Sequence, residues 1–115
     1  MRLTTKNRSA KTYEKADGSK PFDVWLEELK DNRAKARVVV RVERAKIGLF
    51  GLHRDLKDGV FEPKDDFGPG YRVYFGLHQD EIIILLVGGA KGSQDRDIAK
   101  AKEYWADFLN RSKKP

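Results

Sequence analysis

Arg72 is the only charge in an alternating run, in which Tyr71, Val73, Phe75 and Leu77 interleave with Arg72, Tyr74 and Gly76. A cation inside a strand is costly unless it faces water or meets an anion. Arg72 is therefore either an exposed strand cation or a side chain awaiting an anionic partner. Three lysines fall near the same predicted sheet: Lys57 ahead of one strand, Lys64 near that strand's end, and Lys91 just past a later strand. Cations that converge in this way bind a phosphate and stabilise the added negative charge of a phosphorane-like transition state. Arginine does so with a two-pronged fork, lysine as a point charge. Lys64 and Arg72 flank one hairpin, whereas Lys91 is expected at the far end of the adjoining strand. Convergence then depends on sheet twist and loop path.

Other chemistries are poorly supplied. The chain has no cysteine, which removes thiolate catalysis and disulfides and suits a reducing compartment. It has no Gly-x-Ser-x-Gly nucleophile elbow. His53 and His78 both fall in predicted loops, and no His, Asp or Glu cluster has metal-ligand spacing, so no metal or cofactor is expected. Gly88-Gly89-Ala90-Lys91-Gly92-Ser93 lacks the spacing of a nucleotide phosphate loop.

The elements that must carry these cations follow from pattern. Lys11 to Ala16 reads as a first strand, ended by Asp17-Gly18. Ser19 is a candidate N-cap for a helix starting near Pro21, with Phe22, Trp25, Leu26 and Leu29 on one face. Asp31-Asn32 breaks that helix. A second is predicted from Arg33 to Gly48, with Ala34, Val38, Val42 and Ala45 on its apolar line and Arg33, Arg37, Arg41 and Arg44 beside it. Two helices joined so tightly are expected to form an antiparallel hairpin. Leu49 to Asp58 reads as a loop, and Val60 to Asp65 as a strand in which Pro63 argues for an edge or bulge. Gly68-Pro69-Gly70 turns the chain into the Tyr71–Leu77 strand. Glu81 to Val87 is almost wholly apolar and expected to be covered on both faces. Ser93 is placed to cap a last helix whose core line is Ile98, Ala101, Trp105 and Phe108, followed by a frayed basic tail from Arg111 to Pro115. The expected architecture is α+β: a helical hairpin packed on one side of a small antiparallel sheet, with a closing helix.

At 115 residues the chain is expected to be one domain, with its core over about residues 10–110. Its net charge of +6, with 37% charged residues, biases it toward polyanions or an acidic protein partner. The longest apolar run, Ile82 to Val87, is far short of a membrane span, and Met1 to Lys6 lacks the apolar stretch of a secretory signal. A cytoplasmic location with no membrane partner is expected.

A wider set of residues resembles a known family. Asp31-x-x-Ala34-x-Ala36-Arg37, Gly48-x-Phe50-Gly51, Lys57, Gly59-Val60-x-Glu62, Gly68-Pro69-Gly70-Tyr71-Arg72-Val73-Tyr74 and Leu85-Leu86-x-Gly88-Gly89-x-Lys91-x-x-Gln94-x-x-Asp97-Ile98-x-x-Ala101 together resemble the addiction-module killer proteins. These are a branch of the RelE/ParE toxin superfamily close to the HigB toxins. The resemblance covers roughly residues 20 to 104 and implies the fold just described. It further implies a type II toxin, neutralised by a helix-turn-helix antitoxin from the adjacent gene, that cuts mRNA on the ribosome without a metal. Carried over by position, Arg72 would stabilise the scissile phosphate. Lys91 would clamp it or protonate the leaving oxygen, with Lys64 beside them, and Lys57 would position RNA or move a proton. Read from charge alone, the row Arg33, Arg37, Arg41 and Arg44 meets ribosomal RNA or an acidic antitoxin segment, or is a solvated helix face partly paired by Glu43; His53 and Arg54 are added to it as candidate RNA or ribosome contacts. Where the branch carries Glu-Leu-Arg this chain has Glu62-Pro63-Lys64, which keeps the charge but loses the fork. The ParE side of the superfamily implies another target, DNA gyrase, inhibited without catalysis; a basic binding domain without catalysis is a third option.

Overall fold

The computed structural model describes residues 7–65 and 68–113. The signal-sequence expectation at Met1 to Lys6, Phe67 of the hairpin approach and the last two residues of the basic tail lie outside them. Five strands and three helices follow in the order β1 (Ser9–Thr12), α1 (Pro21–Glu28), α2 (Asn32–Lys46), β2 (His53–Asp55), β3 (Val60–Asp65), β4 (Tyr71–His78), β5 (Ile82–Ala90), a 3-10 turn over Lys91–Ser93, and α3 (Gln94–Ser112). They form one five-stranded sheet in the order β1-β5-β4-β3-β2. None of the described helices is long and apolar enough to cross a membrane.

Three features overturn the expected architecture. First, the sheet is mixed: β1 runs parallel to β5, with Ser9 opposite Ile82 and Thr12 opposite Leu85, while the other pairs are antiparallel. Alternation identifies a strand but says nothing of the direction of a partner seventy positions away. Second, both faces of the sheet are covered. Phe61, Val73, Phe75, Leu77, Ile83 and Leu85 pack with Phe22, Val38 and Ala45 of α1 and α2, whereas Val60, Tyr74, Ile84 and Leu86 pack with Ala101, Tyr104 and Trp105 of α3. Every interior strand thus has two apolar faces, and a layer of helix on one side only would leave the other bare. Third, among the described residues there is no N-terminal helical hairpin. α1 packs on β5 and α2 toward β3, and both place their apolar lines in one cluster with the strands.

The segment read as a loop, Leu49 to Asp58, contains β2. This strand covers β3, with His53 opposite Pro63 and Asp55 opposite Phe61, so β3 is interior and β2 is the edge. Pro63 leaves a gap in the β3–β4 ladder without shifting its register, since Phe61 faces Phe75 and Lys64 faces Arg72.

Helix ends also differ from expectation. Asp31 caps α2, its carboxylate accepting from the Arg33 amide at 2.8 Å. Ser19 does not cap α1: its amide and hydroxyl both donate to Asp17, and Pro21 opens the helix without a side-chain cap. The basic tail is helical through Ser112, and Arg111 ties it to Asp107 at 2.7 Å and to the Glu14 carbonyl.

Two glycines explain why helix and sheet approach so closely. A methyl on Gly76 would collide with the indole of Trp105, and one on Gly88 with that of Trp25. Each glycine therefore lets a tryptophan from the opposing layer rest on the strand backbone.

Candidate anion-binding site

Side chains of β3 and β4 alternate between the two helical layers, which sends Glu62, Lys64, Arg72 and Tyr74 toward α3. The register sets Lys64 opposite Arg72 and Arg72 opposite Gly89. Because β5 runs antiparallel to β4, its C-terminal end returns beside the β3–β4 hairpin. Lys91 therefore lies at the same end as Lys64 and Arg72, not at the far end as expected. A side chain begun on Gly70 would meet Arg72 Nη1 at 3.2 Å and Lys91 Cβ at 3.5 Å. The Lys91 amide also donates to the Pro69 carbonyl at 3.4 Å. Arg72, Lys64 and Lys91 are thus brought together.

Arg72 is 5% exposed. Its Nη1 donates to the Gly70 carbonyl at 2.7 Å, and its Nε lies 3.9 Å from Glu62 Oε2. Among the described residues, Arg72 Nε is the one buried side-chain polar atom with no hydrogen-bond partner. Such an atom costs the desolvation of a donor without a compensating bond.

Beneath it sits Glu62, fully buried in the middle of β3. Arg54 Nε donates to its Oε1 at 2.6 Å, while the Tyr74 hydroxyl and Gln94 Nε2 donate to its Oε2 at 2.7 and 2.9 Å. Burial pushes the Glu62 carboxyl up, but the hydrogen bonds from Arg54, Tyr74 and Gln94 and the Arg54 charge outweigh it and hold it below its ordinary value. The Tyr74 hydroxyl is driven far up by burial and by the adjacent carboxylate. Glu62 is a buried anion and Tyr74 a neutral donor to it.

The outer wall is the start of α3. Lys91, Gly92, Ser93, Gln94, Asp95 and Arg96 line an open polar depression of about 440 Å³. Ser93 does not cap the helix in the expected way; its hydroxyl donates to Asp97 at 2.5 Å and to the Ala90 carbonyl at 3.3 Å. The buried Asp97 carboxylate lies over Gly89, where a methyl would displace it. Gln94 belongs to both layers, since it lines the depression and bonds Glu62.

The other expected site residues are dispersed. Lys57 occupies an exposed turn at φ +74°, three residues before Val60, which pairs with Gly76. Gly76 is four strand residues from Arg72, or about 13 Å along the sheet, so Lys57 stands apart from the cation group. Arg37 clasps Asp65 at 2.8 and 3.0 Å, and Arg41 approaches the same carboxylate at 3.8 Å. With Ala36, Val40 and Arg44 they line a depression on the α2 side of the sheet, the face opposite Arg72. Arg33 extends into solvent near Asp31. His53 belongs to β2 and not to a loop; its ring Nδ1 donates to the Gly51 carbonyl at 2.7 Å, and the ring packs edge-on to Phe50. Arg54 turns inward to Glu62, so it belongs to the α3-side cluster rather than to the arginine row of α2.

Reasoning from pattern missed Glu62, Tyr74, Gln94 and Asp97 as members of the site. A signal existed for one of them. Glu62 is a carboxylate between Phe61 and Pro63 in a strand with a single inward arginine across from it, which is the anionic partner that Arg72 required.

Fold and site together define a protein with a mixed five-stranded sheet between helices and an open polar depression beside a buried carboxylate. Its sequence is 47% identical over 81 residues to an uncharacterized protein of Haemophilus influenzae, covering 70% of this chain and 82% of that protein. The chain belongs to the family of that Haemophilus protein. No family model matches it.

Proposed function

We propose that this protein is the toxin of a type II toxin–antitoxin pair and cleaves mRNA on the ribosome without a metal ion. The observation that carries this proposal is the meeting of Arg72, Lys64 and Lys91 at one end of the sheet. The resemblance of its motifs to the addiction-module killer proteins supplies the substrate class. In this reaction the ribose 2′-hydroxyl gives its proton to solvent water as its oxygen attacks the adjacent phosphorus, and the bond to the 5′-oxygen breaks, leaving a 2′,3′-cyclic phosphate and a free 5′-hydroxyl. The phosphoryl oxygens gain charge as the new bond forms, which is where a buried arginine and a nearby lysine act most strongly. Lys91, exposed at the mouth, delivers a proton to the departing 5′-oxygen, and Arg72 with Lys64 holds the non-bridging oxygens. The α3 N-terminus adds its positive dipole end to the same wall. A helix-turn-helix antitoxin from the neighbouring gene is the proposed inhibitor, and the cytoplasm the proposed location.

The test is a short pulse of expression in bacteria followed by mapping of mRNA 5′ ends. Wild type is expected to arrest growth and to produce codon-phased cuts, and Lys91→Ala and Arg72→Ala to abolish both while still melting cooperatively. Intact transcripts with a DNA-damage response would point to gyrase instead. Undiminished cutting by both variants would remove the catalytic assignment.

A further inference from the structure

The unpartnered Arg72 Nε has a cause in the carboxylate beside it. Glu62 Oε2 already accepts from Tyr74 and from Gln94, at 2.7 and 2.9 Å, which fills the two lone pairs of that oxygen. Its other oxygen is taken by Arg54 at 2.6 Å. Arg72 Nε therefore stops at 3.9 Å, inside the range of attraction but without a bond. A buried guanidinium beside a buried carboxylate ordinarily closes into a two-pronged pair; here two neutral donors have occupied the place first.

We infer that Tyr74 and Gln94 are positioning residues that saturate Glu62, withhold it from Arg72, and so leave Arg72 Nε, with Nη1 held on the Gly70 carbonyl, free to take an oxyanion of the phosphate class that enters past Gln94 from the adjoining Lys91–Arg96 depression. This rests on the phosphodiester function proposed above and extends it to residues that touch no substrate. Glu62 holds the guanidinium in place from 3.9 Å, while the two donors keep it from being consumed. Tyr74 is suited to this because it is buried and stays a neutral donor beside the carboxylate. Gln94 is suited because it stands in the first turn of α3 and joins the depression's wall to the ion cluster.

The experiment follows the Arg72 Nε–H resonance of the full-length, 15N-labelled protein during titration with inorganic phosphate. In wild type the free protein should show this proton unbonded, and phosphate should shift it. In Tyr74→Phe an Oε2 lone pair opens, and the resonance should move to a hydrogen-bonded position before any phosphate is added. Phosphate affinity should then fall by about tenfold, the scale of one charge-assisted hydrogen bond. Gln94→Met opens the other lone pair and should act in the same direction, which keeps the test valid if Tyr74→Phe does not fold. In the double variant Tyr74→Phe with Glu62→Gln, the captor has lost its charge and affinity should recover. A merely structural role for Tyr74 would not produce that rescue.

If wild type responds to phosphate and both single variants match it in resonance and affinity, the positioning role is overturned. If the variants move the resonance but wild type ignores phosphate, Glu62 is saturated as described but the external anion, and the phosphodiester reading with it, is wrong.

Discussion

Two carboxylates three residues apart on β3 each gather arginines, on opposite faces of the sheet. Glu62 faces α3, is fully buried, and holds Arg54, Tyr74 and Gln94 with Arg72 close by. Asp65 faces α2 near the surface, where Arg37 grips it with both prongs and Arg41 stands at 3.8 Å. The local chemistry is alike, but the surroundings are not. At Asp65 water can replace either partner, so the pair is worth little beyond local order. At Glu62 water has no access, and any lost partner leaves a buried group without a bond. The carboxylate gripped by a two-pronged arginine is therefore the less informative one. The buried cluster is energetically tense and carries an unsatisfied donor, which is a property of sites built to receive something.

The comparison breaks most visibly if Glu62 is removed. Glu62→Ala leaves the buried Arg72 and Tyr74 without their carboxylate and should cost about 3–5 kcal/mol in urea-induced unfolding. A loss no larger than that of an exposed pair would mean that the cluster is wetter than its burial shows.

Acid sharpens the same contrast. The Glu62 carboxyl is held below its unfolded value of 4.5, so the folded state keeps its charge where the unfolded chain takes up a proton. Its stabilising contribution is complete above about pH 4.5 and is lost as pH falls through the lower folded value. Unfolding midpoints followed from neutral pH into acid should drop less steeply for Glu62→Gln than for wild type. Equal slopes would show that Glu62 is not ionised in the fold.

The smallest effect belongs to the other carboxylate. Asp65→Asn should change stability by less than about 1 kcal/mol, and added salt should shrink the difference further. A larger loss would make the arginine row of α2 a structural brace rather than a solvated face.

The parts of this arrangement that could be read from the chain are those governed by near neighbours. The Tyr71–Leu77 alternation corresponds to β4 and the apolar run after Glu81 to β5, because each strand's pattern is set by its own two faces. Arg72, Lys64 and Lys91 stand out by their strand positions, and antiparallel return alone brings Lys91 back to the hairpin. What escaped depends on partners far along the chain. The parallel docking of β1 on β5 leaves no mark in either segment. β2 is three residues long, too short for alternation to register. The missing helical hairpin has a similar cause: α1 and α2 each carry an apolar line, and the lines do not say whether they meet each other or a sheet. Glu62 is legible only across strands: its own strand's pattern gives no place to a buried carboxylate, whereas the cation at Arg72 on the next strand asks for one.

The most direct measurement is single-turnover cleavage of an mRNA held on programmed ribosomes, comparing wild type with Lys91→Ala, whose side chain is exposed and whose loss leaves the buried cluster intact. Wild type should release a fragment ending in a 2′,3′-cyclic phosphate, a single 2′-deoxy substitution at the cut should stop it, and Lys91→Ala should slow it by about 10²-fold or more. An mRNA left whole by the wild-type protein, or cut equally well by Lys91→Ala, would contradict a cationic phosphodiester site at this end of the sheet.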